Sequence, residues 1–110
     1  MPGVAILRVE SQLFFANADA VRDEIRAHAA DEHVRAVVID AETVPTIDVT
    51  AGAMLLELAR ELRNQGKRLV LARAIGQVRE AIDHTGSGPA PSVLENHPTV
   101  RAAVAAVRED

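Results

Sequence analysis

Cysteine, tryptophan and tyrosine are absent from this 110-residue chain, and phenylalanine occurs only twice. Without cysteine there is neither a disulfide framework nor a thiolate metal site, a composition compatible with the cytosol. Aromatics at 2% leave no platform on which bases could stack, which argues against a single-stranded nucleic-acid surface. Lysine is nearly missing as well: of twelve basic residues only Lys67 is lysine, the rest are arginine, and sixteen acids bring the formal charge to −4. No basic stripe remains to hold duplex DNA, so no nucleic-acid partner is expected. Uninterrupted apolar runs fall far short of the roughly 20 residues that span a bilayer. No signal-peptide pattern opens the chain. The polypeptide is therefore expected to be soluble as it stands, and Met1-Pro2-Gly3 reads as a start of convenience on a domain cut from a longer protein.

What is present is 48% hydrophobic, largely Ala and Val, enough for one well-packed domain and too little chain for two. Val4, Ile6, Leu7 and Val9 suggest a first strand, Ser11-Gln12 a turn, and Leu13-Phe14-Phe15 a short second strand. Asn17 or Asp19 can cap a helix with Val21, Ile25 and Ala29 inward. Residues 34–40 form a strand apolar nearly throughout after Arg35, as a central strand covered by helices should be. Beyond Pro45, Ala51, Leu55, Leu58, Ala59 and Leu62 share one helical face, and Gly66 stops that helix. Lys67 to Ala72 reads as a strand, a short helix from about Gly76 carries Val78 and Ile82, and Ser92-Val93-Leu94 fits a brief edge strand. Pro98 starts a last helix with Val100, Val104 and Val107 on one side. The order predicts an α/β domain, a four- to five-stranded mixed sheet flanked by about four helices.

Groupings suited to catalysis are thin. His28, His33, His84 and His97 lie in four segments with no metal-ligand spacing between them, so no metal site is expected. Gly86-Ser87-Gly88 lacks the strand and helix that a phosphate loop needs, and Ser11, Ser87 and Ser92 have no nucleophile-elbow context. No catalytic residue is assigned, and the chain is not expected to be an enzyme.

The informative stretch is Ile47-Asp48-Val49-Thr50-Ala51-Gly52, between an apolar strand and an apolar-striped helix. Asp48 and Thr50 carry short oxygen-bearing side chains able to cap that helix, while Ala51 and Gly52 are small enough to leave first-turn amides open to an anion. Two readings fit: a plain cap, or a helix start where a bound or covalent phosphate meets favourable electrostatics. Arg73, just past the following strand, is placed to lie nearby as a counter-charge, unless it is an ordinary surface residue.

The segments Val38-Ile39-Asp40, Ile47 through Gly52, Leu55-Leu56-Glu57-Leu58 and Gly66 through Ala72 together resemble the STAS domain shared by anti-sigma-factor antagonists and sulfate-permease-type (SulP) anion transporters. The resemblance covers essentially the whole chain. Leu13-Phe14-Phe15-Ala16-Asn17-Ala18 is similar to the transporter branch, as is Thr99-Val100 before an Ala-rich helix. It implies a regulatory domain at the C-terminal cytoplasmic end of an inner- or plasma-membrane transporter, with that transporter's transmembrane domain as partner and regulatory proteins as further partners. It also implies a purine nucleotide as ligand, GTP/GDP or ATP/ADP, with no cofactor required. Phosphates would then sit on Thr50, Ala51 and Gly52, with Phe15 (or Phe14) and Asn17 near base or sugar and Arg73 balancing charge. The antagonist branch carries Asp-Ser-Ser-Gly, whose second Ser is phosphorylated by a partner kinase. Here Asp48-Val49-Thr50-Ala51 occupies that motif, so Thr50 matches the phosphorylated position and Ala51 replaces the Gly. The rival expectation is thus a free-standing antagonist switched by phosphorylation of Thr50.

Overall fold

A computed structural model describes residues 3–9, 15–44, 48–74 and 94–108, with the side chains of residues 15, 16 and 49 outside that description. The elements are β1 (Val4–Arg8), α1 (Phe15–Ala29), β2 (Ala36–Asp40), α2 (Val49–Asn64), β3 (Arg68–Ala72), β4 (Asn96–His97) and α3 (Val100–Arg108). The strands form one sheet in the order β1-β2-β3-β4. Every pairing among the described residues is parallel, with Val4 opposite Ala36, Ala36 opposite Arg68 and Leu71 opposite Asn96.

The α/β architecture and the four strands agree with expectation, while the sheet expected to be mixed is parallel at every described pairing and the described helices number three. Four local readings are corrected. Phe15 belongs to α1 rather than to a second strand; Leu13 and Phe14, the rest of that strand, lie outside the described residues, as does the helix expected from Gly76. Asn17 and Asp19 therefore sit inside α1 instead of capping it, because Ala16, Ala18 and Ala20 favour continued helix and Asp19 pairs with Arg22 at 3.2 Å, one turn on. Pro98 does not open the last helix. Thr99 caps α3, its hydroxyl accepting the Ala102 N–H at 2.9 Å. The edge strand falls at Asn96–His97, two positions past Leu94.

Side-chain alternation sorts the core into two layers. Leu7, Val37, Ile39, Leu69 and Leu71 face one side and pack with Ile25 and Ala29 of α1 and with Leu55, Leu58 and Leu62 of α2. Ala36, Val38, Val70 and Ala72 face the other side, under Ala103, Val104 and Val107 of α3. β2 is buried at all five positions, which explains its near-continuous apolar sequence. The successive crossovers β1-α1-β2 and β2-α2-β3 advance across the sheet in one direction, so right-handed connections put α1 and α2 side by side on the same face.

Two caps complete that layer. At the end of α2, Gly66 adopts φ 77°, the Lys67 N–H returns to the Leu62 carbonyl at 2.8 Å and the Gly66 N–H to that of Arg63 at 3.0 Å, a Schellman arrangement that only glycine enters without strain. At the end of α1 the ammonium of Lys67 bonds the Ala29 carbonyl and, at 3.1 Å, that of Asp31, placing a cation on the negative pole of the helix. Leu58 lies 2% exposed between α2 and the sheet. Leu58→Asp is expected to cost several kcal/mol, from an unpaired buried charge and a lost apolar side chain, and to unfold most of the population in thermal or urea denaturation followed by circular dichroism.

Candidate functional site

The C-terminal ends of β2 and β3 set the geometry of the site. Asp40 closes β2 and is 5% exposed. Its carboxylate accepts from Arg73 Nε at 3.2 Å and Nη2 at 2.6 Å and from the Glu42 N–H at 3.1 Å. Those bonds, with the guanidinium charge, hold the Asp40 carboxyl below its usual range against the opposing effect of burial. Arg73 reaches across from the end of β3 with φ 60°, a left-handed backbone that few non-glycine residues adopt, and also pairs with Glu42. The loop after β2 is pinned further by Thr43, whose hydroxyl donates to the Val9 carbonyl at 2.9 Å, and by the Val44 N–H on the Ala41 carbonyl at 3.1 Å.

Beyond that loop Asp48 takes the extended conformation of an N-cap (φ −90°, ψ 172°). Its side chain accepts the Ala51 N–H at 2.8 Å and its carbonyl accepts the Gly52 N–H at 2.9 Å. Asp48 is thus the cap, and Thr50 stands in the first turn of α2 with its side chain exposed. Ala51 is fully buried and Gly52 buried, so the two small residues serve helix packing and their amides are already engaged. The first-turn amides without an acceptor inside the helix are those of Val49 and Thr50.

Thr50 opens onto a groove of about 670 Å³ between α1 and α2. Ala18, Ala53, Met54 and Leu58 give it an apolar floor; Asp19, Arg22 and Arg26 line the α1 side and Glu57 and Glu61 the α2 side. Arg26 and Glu61 bridge it through two hydrogen bonds of 3.0 and 2.8 Å, which raise the arginine's proton affinity and hold the glutamate below its ordinary value. Arg22 lies 3.2 Å from Asp19 through Nη1, and its Nε, shielded from solvent without a hydrogen-bond acceptor, is 3.6 Å from the Asp23 carboxylate. Asn17 is half-buried in the first turn of α1, and Arg73 is not among the groove residues. The side chain of Phe15 lies outside the described residues.

Of the expected binding set, the structure brings Thr50 to the edge of α1 and commits Arg73 to two carboxylates instead. The cations facing Thr50 across the groove are Arg22 and Arg26. A usable signal was there: cations at 22 and 26 and acids at 57 and 61 recur at one-turn spacing on consecutive helices, a pattern that aligns when the helices pack side by side. A hydroxyl, carboxylates and guanidiniums over an apolar floor form a set suited to binding and orienting a partner. Among the described residues no group of three potential metal ligands converges.

Comparison with known proteins gives the class. Residues 1–103 match the family model described as the STAS domain, and the chain belongs to that family. A plant relative, Probable sulfate transporter 3.4 of Arabidopsis thaliana, is 30% identical over 92 residues, covering 74% of this chain and 14% of its own length. In structure, the chain resembles the murine anion transporter Slc26a9 (TM-score 0.84, 22% identity), covering all of this chain and 18% of that one. It also resembles the unphosphorylated anti-sigma factor antagonist SpoIIAA of Bacillus (TM-score 0.78, 20% identity), covering all of this chain and 92% of that one. The chain thus spans a small fraction of the transporters and nearly the whole of the antagonist. No helix among the described residues is long and apolar enough to cross a membrane.

The Asp40–Arg73 clamp makes stability pH-dependent in a defined direction. Because folding lowers the Asp40 pKa, its contribution is complete above the unfolded value of about 3.9 and is lost as pH falls through the lower folded value. Urea unfolding of Asp40→Asn should show about 1–3 kcal/mol less stability than the parent at pH 7. The difference should shrink below pH of about 4, where the parent carboxylate protonates.

Proposed function

We propose that this chain is the cytosolic regulatory domain of a sulfate-permease-like anion transporter, contacting the transmembrane part of the same protein in the inner or plasma membrane and tuning its activity. The observation that carries this reading is the short alignment inside a much longer sulfate transporter, at an identity above that to any of the structural neighbours described.

The groove between α1 and α2 is the proposed seat of a purine nucleotide, GTP/GDP or ATP/ADP. Its volume is within the range of small-molecule pockets, about 300–1,000 Å³. Since Asp48 engages the amides of Ala51 and Gly52, the phosphate contacts fall to the Thr50 hydroxyl, the positive pole of α2 and the guanidinium of Arg22. Met54, Ala18 and Ala53 offer the base an apolar surface, and Asn17 lies one residue from it. Arg73 would enter only by leaving Asp40 and Glu42.

A second reading, a free-standing antagonist switched by phosphorylation of Thr50, is favoured by the exposure of that hydroxyl in the first turn after the Asp48 cap. A phosphate there would add like charge beside Asp48 and repel an acidic interface. The coding sequence upstream of residue 1 separates the two: several apolar spans of roughly 20 residues support the transporter, and their lack supports the antagonist.

Titration of the ¹⁵N-labelled chain with GTP and ATP should shift the amides of residues 48–53 and the Arg22 side chain first. Thr50→Asp should weaken that response about tenfold by like-charge repulsion. Shifts confined to α3 would remove the nucleotide from this groove.

A further inference from the structure

We propose that the ridge formed by α3 and β1, on the sheet face opposite the α1–α2 groove, is a docking surface for an amphipathic helix with acidic flanks. Among the described residues, two helices shield one face of the sheet, whereas α3 shields the other and lies over β2, β3 and β4. β1 is left at the margin, and its Ile6 is 47% exposed, the one large hydrophobic side chain so exposed among the described residues. Beside it runs a groove of about 360 Å³ lined by Ile6, Val100, Val104 and Ala105, with Arg101 at one end and Arg108 at the other.

The spacing on α3 is specific. Residues 101, 104, 105 and 108 follow the i, i+3, i+4, i+7 rule and so form one stripe, two small apolar side chains between two arginines about 10.5 Å apart along the axis. Among the described residues neither arginine has an ion-pair partner and no carboxylate lines the groove, although the chain as a whole carries a formal charge of −4. Unpaired guanidiniums at both ends of an apolar strip suit an occupant with the inverse pattern: carboxylates two turns apart on a helix, flanking an apolar pair. This is the helix-in-groove mode of recognition, with charge fixing register and the exposed Ile6 supplying apolar contact. An anionic membrane would meet the same residues, but two arginines contribute only about 2 kcal/mol at a charged bilayer, and a concave strip beside a strand is poorly shaped for a flat surface.

The test uses the ¹⁵N-labelled chain and a helical peptide of about three heptads, with Glu at one position of each heptad and Leu three and four residues later. The expected result is shifts at Ile6 and along residues 100–108 with the α1–α2 groove silent, and a response about tenfold weaker to the same peptide with Lys in place of Glu. The double variant Arg101→Glu/Arg108→Glu should retain the parent's sheet amide spectrum and melting temperature, and prefer the Lys peptide. That reversal cannot arise from a damaged fold. Ile6→Ser should weaken both peptides. The proposal is overturned if the Glu peptide leaves these residues unmoved up to millimolar concentration, or if the charge variant keeps the parent's preference. It is overturned equally if phosphatidylglycerol vesicles but not the peptide engage the ridge, or if the free chain already pairs with a second copy there.

Discussion

A buried carboxylate that must be neutralised organises one end of this domain. Asp40 is the single charged residue buried among the described ones, and its environment would be costly without the fork of Arg73 and the Glu42 amide. Satisfying it fixes Arg73 in a left-handed backbone, ties the end of β2 to the end of β3 and starts a tight turn after β2. The turn is held again at Thr43 and Val44, four residues before the Asp48 cap of α2. The placement of Thr50 against α1 is therefore the far end of a chain of constraints that begins inside the sheet.

Much of this was legible in the residues because it is encoded locally. The apolar run of 36–40, the stripe of α2 and the short-side-chain cap at Asp48 are all properties of a few consecutive residues, as is the glycine after α2. Local competition explains the misplacements. Three alanines and an i,i+3 ion pair outweigh the capping tendency of Asn17 and Asp19, and the Thr99 hydroxyl makes a better cap than Pro98 makes a first residue. The site was less legible for a different reason. That Arg73 would turn inward to Asp40, and that Arg22 would stand across from Thr50, depends on contacts spanning about thirty residues of sequence, which no window reveals.

The same scaffold is found in an anion transporter and in an anti-sigma factor antagonist, so its layers carry no function of their own. What distinguishes one use from another must be the decoration of its two faces. In this chain one face presents a charged groove whose walls are cross-linked by Arg26 and Glu61, and the other an apolar strip with cations at its ends. The sheet between them is close-packed and buried at every position of β2. Two partners could thus be engaged at once without competing for residues.

The near-exclusion of lysine has a chemical consequence. The only side-chain amine in the sequence is that of Lys67, and it is spent on the carbonyls that end α1. Acylation of that nitrogen would silence the positive charge and, in the same step, uncap the helix. Guanidiniums, which such reagents spare, carry every other basic side chain. Acetyl transfer to this domain would therefore act less as a surface label than as a wedge between α1 and the start of β3.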